Sequence, residues 1–166
     1  MSATAAMIQE FEQEAATTRR VLERVPSDKL GWKPHEKSMS LGALAMHIAG
    51  GPGFISSWAL NDSFTMTGGG SPEAKSTADI LAAHDASVAQ TKANLAKVGD
   101  TGLGQTWALK TPDGKTMMSM PKAALLRSVA FNHMYHHRGQ LSVYLRLLNV
   151  PVPSIYGPSA DENPMR

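Results

Sequence analysis

An all-α bundle is the fold class that this 166-residue sequence predicts. Four segments carry apolar residues at helical spacing, and Ser, Pro and Gly punctuate the gaps between them. The last segment is long enough to run the height of a bundle. A lapse in the helical pattern between the third and fourth segments leaves room for a short β-hairpin. With 42% hydrophobic residues the chain can build a sizeable core, and its length suits a single domain spanning residues 1–166.

In residues 3–24, Met7, Ile8, Phe11, Ala15, Val21 and Leu22 recur among Glu, Gln, Thr and Arg, which suits an amphipathic helix that ends at Pro26 and Ser27. Residues 25–39, with Pro26, Gly31 and Pro34, read as a loop, and Ser40 caps a second helix from Leu41. That helix is expected to break or kink near Pro52. Residues 41–60 lack Asp, Glu, Lys and Arg and have the nominal length of a membrane span. His47 and the Gly50-Gly51-Pro52-Gly53 cluster would interrupt such a span in lipid, so the run reads as a mostly buried bundle helix. The linker 61–76 contains Gly68-Gly69-Gly70, and a third helix follows over residues 77–97 with Ile80, Leu81, Val88 and Leu95 on its apolar side. Within residues 99–120, Trp107-Ala-Leu-Lys followed by Thr111-Pro112-Asp113-Gly114 predicts a hairpin with Pro and Gly at favoured turn positions. Pro121 fits the first turn of a last helix ending near Asn149, roughly 40 Å long at 1.5 Å per residue. The proline-rich tail, residues 151–166, reads as irregular.

Several function classes drop out. Net charge is only +2 and the basic residues are scattered, with Arg19-Arg20 the one adjacent pair, so no stripe for nucleic acid is present. The absence of cysteine excludes disulfides, thiolate metal sites and an internal thiol nucleophile, and it fits a cytoplasmic protein. Residues 1–11 lack the basic start and apolar core of a secretory signal, which also points to the cytoplasm.

Six histidines remain as the distinctive chemistry. Stepping about 100° per residue from His133 along the last helix, Leu126, Ala130, Val129, Tyr144, Leu147 and Leu148 form an apolar stripe centred near His133. His137 and Gln140 point into that stripe, His136 lies on its flank, and Arg138, Ser142 and Arg146 lie on the far side. Imidazoles in a hydrocarbon core need partners, and i, i+4 spacing lets two of them close on one metal ion. The spacing alone is a weak signal. His47 strengthens it, because it shares a helix face with Leu44, Gly51, Phe54 and Trp58 and supplies a third inward ring from another helix. Any one of these histidines taken singly is more often a hydrogen-bonded core residue. His84 reads as a partly exposed or outer residue, His136 as a rim residue, and His35 as solvated.

The segment His133-Met-Tyr-His-His137-Arg-Gly-Gln140, continuing through Tyr144 and Val150-Pro-Val-Pro-Ser-Ile-Tyr-Gly-Pro-Ser-Ala-Asp161, resembles the C-terminal half of the DinB/YfiT-like metalloenzyme family. Ser40-Leu-Gly-Ala-Leu-Ala-Met-His47-Ile-Ala resembles that family's first ligand motif. The likeness spans nearly the whole chain and is weakest over residues 61–120. It implies a four-helix bundle of up-down-down-up connectivity, often a homodimer, with His47, His133 and His137 binding zinc, nickel or a similar divalent ion. It also implies a metal-dependent transferase or isomerase acting on a small molecule with a low-molecular-weight thiol as co-substrate.

Three neutral imidazoles would leave a divalent ion its full charge and at least one open coordination position, which suits catalysis. Such a site lowers the pKa of water or thiol or polarises a carbonyl. No Glu lies between His133 and His137, so the general base of the His-Glu-x-x-His proteases is missing. Gln140 is the candidate catalytic side chain, orienting a substrate or a metal-bound water; the other reading is a satisfied core glutamine. Three function classes follow: thiol transfer to a small electrophile, hydrolysis of a small ester, amide or lactone by metal-activated water, and non-catalytic capture of a ligand.

Overall fold

The computed structural model describes residues 2–68 and 73–164; the glycine triplet of the expected linker falls partly outside the described residues. Among the described residues the chain is mostly helical, with four helices and a small three-stranded sheet.

Helix α1 (Ala3–Leu22) begins where Ser2 Oγ accepts the Ala5 N–H at 3.2 Å, satisfying a donor that has no partner inside the helix. Asp100 takes the next one, accepting the Thr4 N–H at 2.9 Å. Helix α2 (Leu41–Trp58) is capped as the sequence predicts, with Ser40 Oγ accepting from Ala43 N–H.

The expected break at Pro52 does not occur. Helix α2 runs through it because α3 (Thr77–Leu103) supplies a substitute partner: Ser87 Oγ accepts the Gly53 N–H at 2.8 Å. The contact also explains Gly53, since a Cβ there would lie 2.9 Å from Ser87 Cα. Asn94 then donates to Ser56 Oγ at 3.0 Å along the same α2–α3 seam.

Helix α3 departs from expectation at its end. Gly99, at φ 59° and ψ 173°, breaks the helix one residue beyond Val98, but a further turn to Leu103 follows and brings Asp100 to the start of α1. The hairpin is present as β2 (Thr106–Lys110) antiparallel to β3 (Thr116–Pro121), closed by the Thr111–Gly114 turn with Gly114 at positive φ. Part of the stretch expected to be a linker instead forms a strand, β1 (Ser63–Thr65), which pairs parallel with β2. Trp58, Phe64 and Trp107 stack where this sheet meets α2.

The C-terminal helix covers residues 122–147. A short α-turn, Lys122–Ala124, leads into a π-helical stretch, Leu125–Asn132, and then regular α-helix, His133–Leu147. Pro121 sits just before this helix rather than in its first turn. At the other end Asn149 is left-handed at φ 56°, Val150 N–H reaches back to Leu145 C=O, and Pro151 follows.

The π-helical stretch corrects the predicted apolar stripe. Its i→i+5 bonding advances the chain less per residue than α-helix, so counting back from His133 at α-helical pitch misplaces Leu126 and Ala130 relative to the histidines. The buried line of the final segment is Met134, Arg138, Leu141 and Leu145, while Leu147 and Val143 are exposed. Arg138, expected on the far side, is 1% exposed. Its guanidinium pairs with Glu14 at 2.7 Å, donates to Glu14 C=O, Thr18 Oγ1 and Tyr156 OH, and lies over the Tyr135 and Tyr156 rings at 5.4 and 5.0 Å from their centroids. The tail has no regular structure, but it is pinned: Asp161 accepts the Val152 N–H and pairs with Arg146, and Glu162 accepts the Ser154 N–H and pairs with Arg20. No described helix is long and apolar enough to cross a membrane.

Candidate metal centre

Helix α2 is buried along its length except for a strip formed by Ala43, His47, Gly50, Gly51, Phe54, Ser57 and Trp58. His47 therefore does not point into a closed core, as its apolar neighbours suggested. It sits half-buried in an open seam, beside Gly50 and Gly51, whose missing Cβ atoms leave free space. Across that seam, His133 and His137 occupy the edge of the C-terminal helix rather than its core face.

The three predicted rings meet there. Their ring centroids are 4.9 Å apart for His47 and His133, 4.6 Å for His47 and His137, and 4.4 Å for His133 and His137. Each offers a ring nitrogen within 4.8 Å of the other two, and no other group of three such ligands occurs among the described residues. The Nε2 atoms of His47 and His133 are 3.5 Å apart, and those of His133 and His137 are 2.8 Å apart.

Electrostatics favours the neutral rings. Burial lowers the pKa of His47, with repulsion from His137 adding to it. Burial, reinforced by His137, His47 and His136, takes His133 down to about 4. Burial also lowers His137, against an opposing hydrogen bond to Gln140. All three thus carry a lone pair at neutral pH, the form that binds metal.

The donor set fits a divalent ion. Tetrahedral ligands at about 2.05 Å from zinc lie roughly 3.3 Å from one another, so the 3.5 Å pair already matches and the 2.8 Å pair needs to open by only about 0.5 Å. The half-open seam leaves room for a further ligand.

Gln140 stands outside the cluster. Expected to point inward, it is exposed, and its Oε1 lies 2.7 Å from His137 Nδ1. His136 is exposed with its ring 4.9 Å from that of His137, a rim position in line with its flank assignment. His84 is no member of the site: expected to be partly exposed, it is 4% exposed between α3 and α1, where its Nδ1 faces Asp85. His35 is exposed in its loop. Tyr144, expected only as part of the apolar stripe, has a further role: its hydroxyl donates to Met39 C=O and its ring meets Trp32 edge-on, fastening the 25–39 loop to the C-terminal helix one turn beyond Gln140. The i, i+4 continuation of Gln140 was the available signal.

A helical protein with a three-histidine cluster in an open seam between two helices is the class that fold and site define together. The DinB family model matches residues 1–164, and the chain belongs to that family. The Bacillus subtilis (strain 168) protein YrdA, itself uncharacterized, is 27% identical over 161 residues, covering 93% of this chain and 89% of YrdA. Two solved structures share the fold. A DinB-like protein from Bacillus cereus ATCC 10987 superposes with a TM-score of 0.72 at 23% identity, covering 90% of this chain and 95% of that one. The DinB-like protein YjoA from Bacillus subtilis gives 0.69 at 22% identity, covering 87% and 92% respectively.

Proposed function

We propose that this chain is a metal-dependent enzyme whose ion is held by His47, His133 and His137 and which transfers an external low-molecular-weight thiol to a small electrophile. The observation that carries the reading is the convergence of three imidazoles from two helices in a seam where, among the described residues, no carboxylate joins them. Zinc or nickel is the ion proposed. When bound, it supplies a Lewis acid that lowers the pKa of a thiol brought to it.

The chain's own residues set the conditions for that chemistry. The half-buried rings keep one side of the centre accessible, and Gly50 and Gly51 leave space beside His47 for a substrate. Phe54, exposed one turn further along the same strip, offers an apolar wall to the electrophile. Because the protein contains no cysteine, the sulfur nucleophile must come from outside. A single domain over residues 1–166, up-down-down-up connectivity, assembly as a homodimer and residence in the cytoplasm belong to the same reading.

Elemental analysis of protein purified without chelators or a His-tag tests the centre, with His47→Ala, His133→Ala and His137→Ala as controls. One equivalent of ion in the wild type and none in the variants is the expected result. Loss of a model electrophile is then followed over several thiols with the ion restored. Turnover that needs no thiol would replace transfer by hydrolysis, and no turnover with any thiol would remove the transferase reading.

A further inference from the structure

The 2.7 Å contact between His137 Nδ1 and Gln140 Oε1 constrains a proton. An amide oxygen only accepts, so the ring nitrogen facing it must donate, and in a neutral imidazole the other nitrogen is then bare. That other nitrogen is His137 Nε2, the atom turned toward His133. Among the described residues, His137 is the one member of the trio whose Nδ1 a side chain holds in this way. Neutral histidine in water places its proton mostly on Nε2, which is the wrong arrangement for a ligand that binds through that atom.

Resting on the metal-centre reading above, we infer that Gln140 is a positioning residue, which locks His137 in the Nδ1–H tautomer and so presets one of the three ligands before the ion arrives. Helical geometry permits this because residues three apart share a face. The chain also explains the short 2.8 Å pair: with His137 Nε2 bare, His133 Nε2 carries the proton between them. An ion held through both Nε2 atoms would leave His137 unchanged and would need the His133 proton on Nδ1 instead, with no net proton released by either ring. In this role Gln140 acts on the ion only through His137, as a positioning residue.

The test reads the tautomer directly in metal-free protein. Histidine labelled with nitrogen-15 is observed by NMR at about pH 7.5, above the ordinary histidine pKa, in the wild type, Gln140→Leu and Gln140→Glu. His137 is expected as Nδ1–H in the wild type and in Gln140→Glu, which keeps an acceptor, and as Nε2–H in Gln140→Leu. Zinc affinity by chelator competition is expected to fall about 10–100-fold in Gln140→Leu and to hold or tighten in Gln140→Glu. An Nε2–H His137 in the wild type would overturn the inference, as would unchanged zinc affinity in Gln140→Leu. Wild-type protein that shows the Nδ1–H form but takes up no zinc would instead overturn the metal centre, and the positioning role with it. Gln140 is exposed, so both variants are expected to fold.

Discussion

His137 and Arg138 are neighbours in sequence and both are polar, yet the fold treats them in opposite ways. Arg138 is turned into the core, and its guanidinium is met by a carboxylate, a carbonyl, a threonine hydroxyl and a tyrosine hydroxyl, and lies over two tyrosine rings. Both terminal nitrogens are thus engaged by the protein itself. His137 stays at the edge, where its Nε2 meets another imidazole of like character and, among the described residues, no acid joins the group. A buried charge met by several partners ties α1, the C-terminal helix and the tail together, whereas half-buried rings that face mainly one another at an open edge are the ones able to receive something from outside.

Breaking the edge cluster should show first in the response to metal. Saturating zinc at about a thousand times its Kd stabilises a folded protein by roughly 4 kcal/mol. Thermal unfolding with and without zinc should show such a shift in the wild type and none in His133→Ala. Retention of the shift in that variant would place the ion elsewhere.

The core side of the comparison breaks differently. Glu14→Ala leaves Arg138 buried without its carboxylate and is expected to cost about 3 kcal/mol in urea unfolding, with zinc uptake unchanged. A loss near zero would mean that the remaining hydrogen bonds suffice. Gly53→Ala pushes a methyl into Ser87 Cα and should cost about 1–3 kcal/mol, since that atom is backbone and cannot step aside.

Acid sharpens the contrast from the edge. Burial lowers the folded-state pKa of His47, His84, His133 and His137, so the unfolded chain takes up protons that the folded protein refuses. Metal-free stability is therefore complete above about pH 6.5, and these rings erode it as pH falls toward about 4. The urea midpoint at about pH 5 should lie below that at about pH 7.5. His136→Ala is the smallest expected change: the ring is exposed, so stability should move by less than about 0.5 kcal/mol and zinc stoichiometry not at all.

Much of this was legible in the chain itself. Ser40 announced the start of α2, the Thr-Pro-Asp-Gly turn announced the hairpin, and the i, i+4 histidines with His47 named the cluster. These signals are local: a cap, a turn and a helical face each depend on a few adjacent residues. Arg138 was misread because the π-helical stretch shifts the helix phase and no residue in Leu125–Asn132 advertises i→i+5 bonding. Strand β1 was missed because three residues in a polar linker carry no pattern until β2 lies beside them.

Composition, caps and spacing were enough to determine a helical bundle and to single out three histidines on two of its helices. Only the tertiary structure decided that these rings lie in a half-open seam, that α2 survives Pro52 because Ser87 answers Gly53, and that Arg138 rather than His137 belongs to the core. The physical reason is that helical periodicity tells which residues share a face, while burial depends on what packs against that face, and that partner comes from far along the chain.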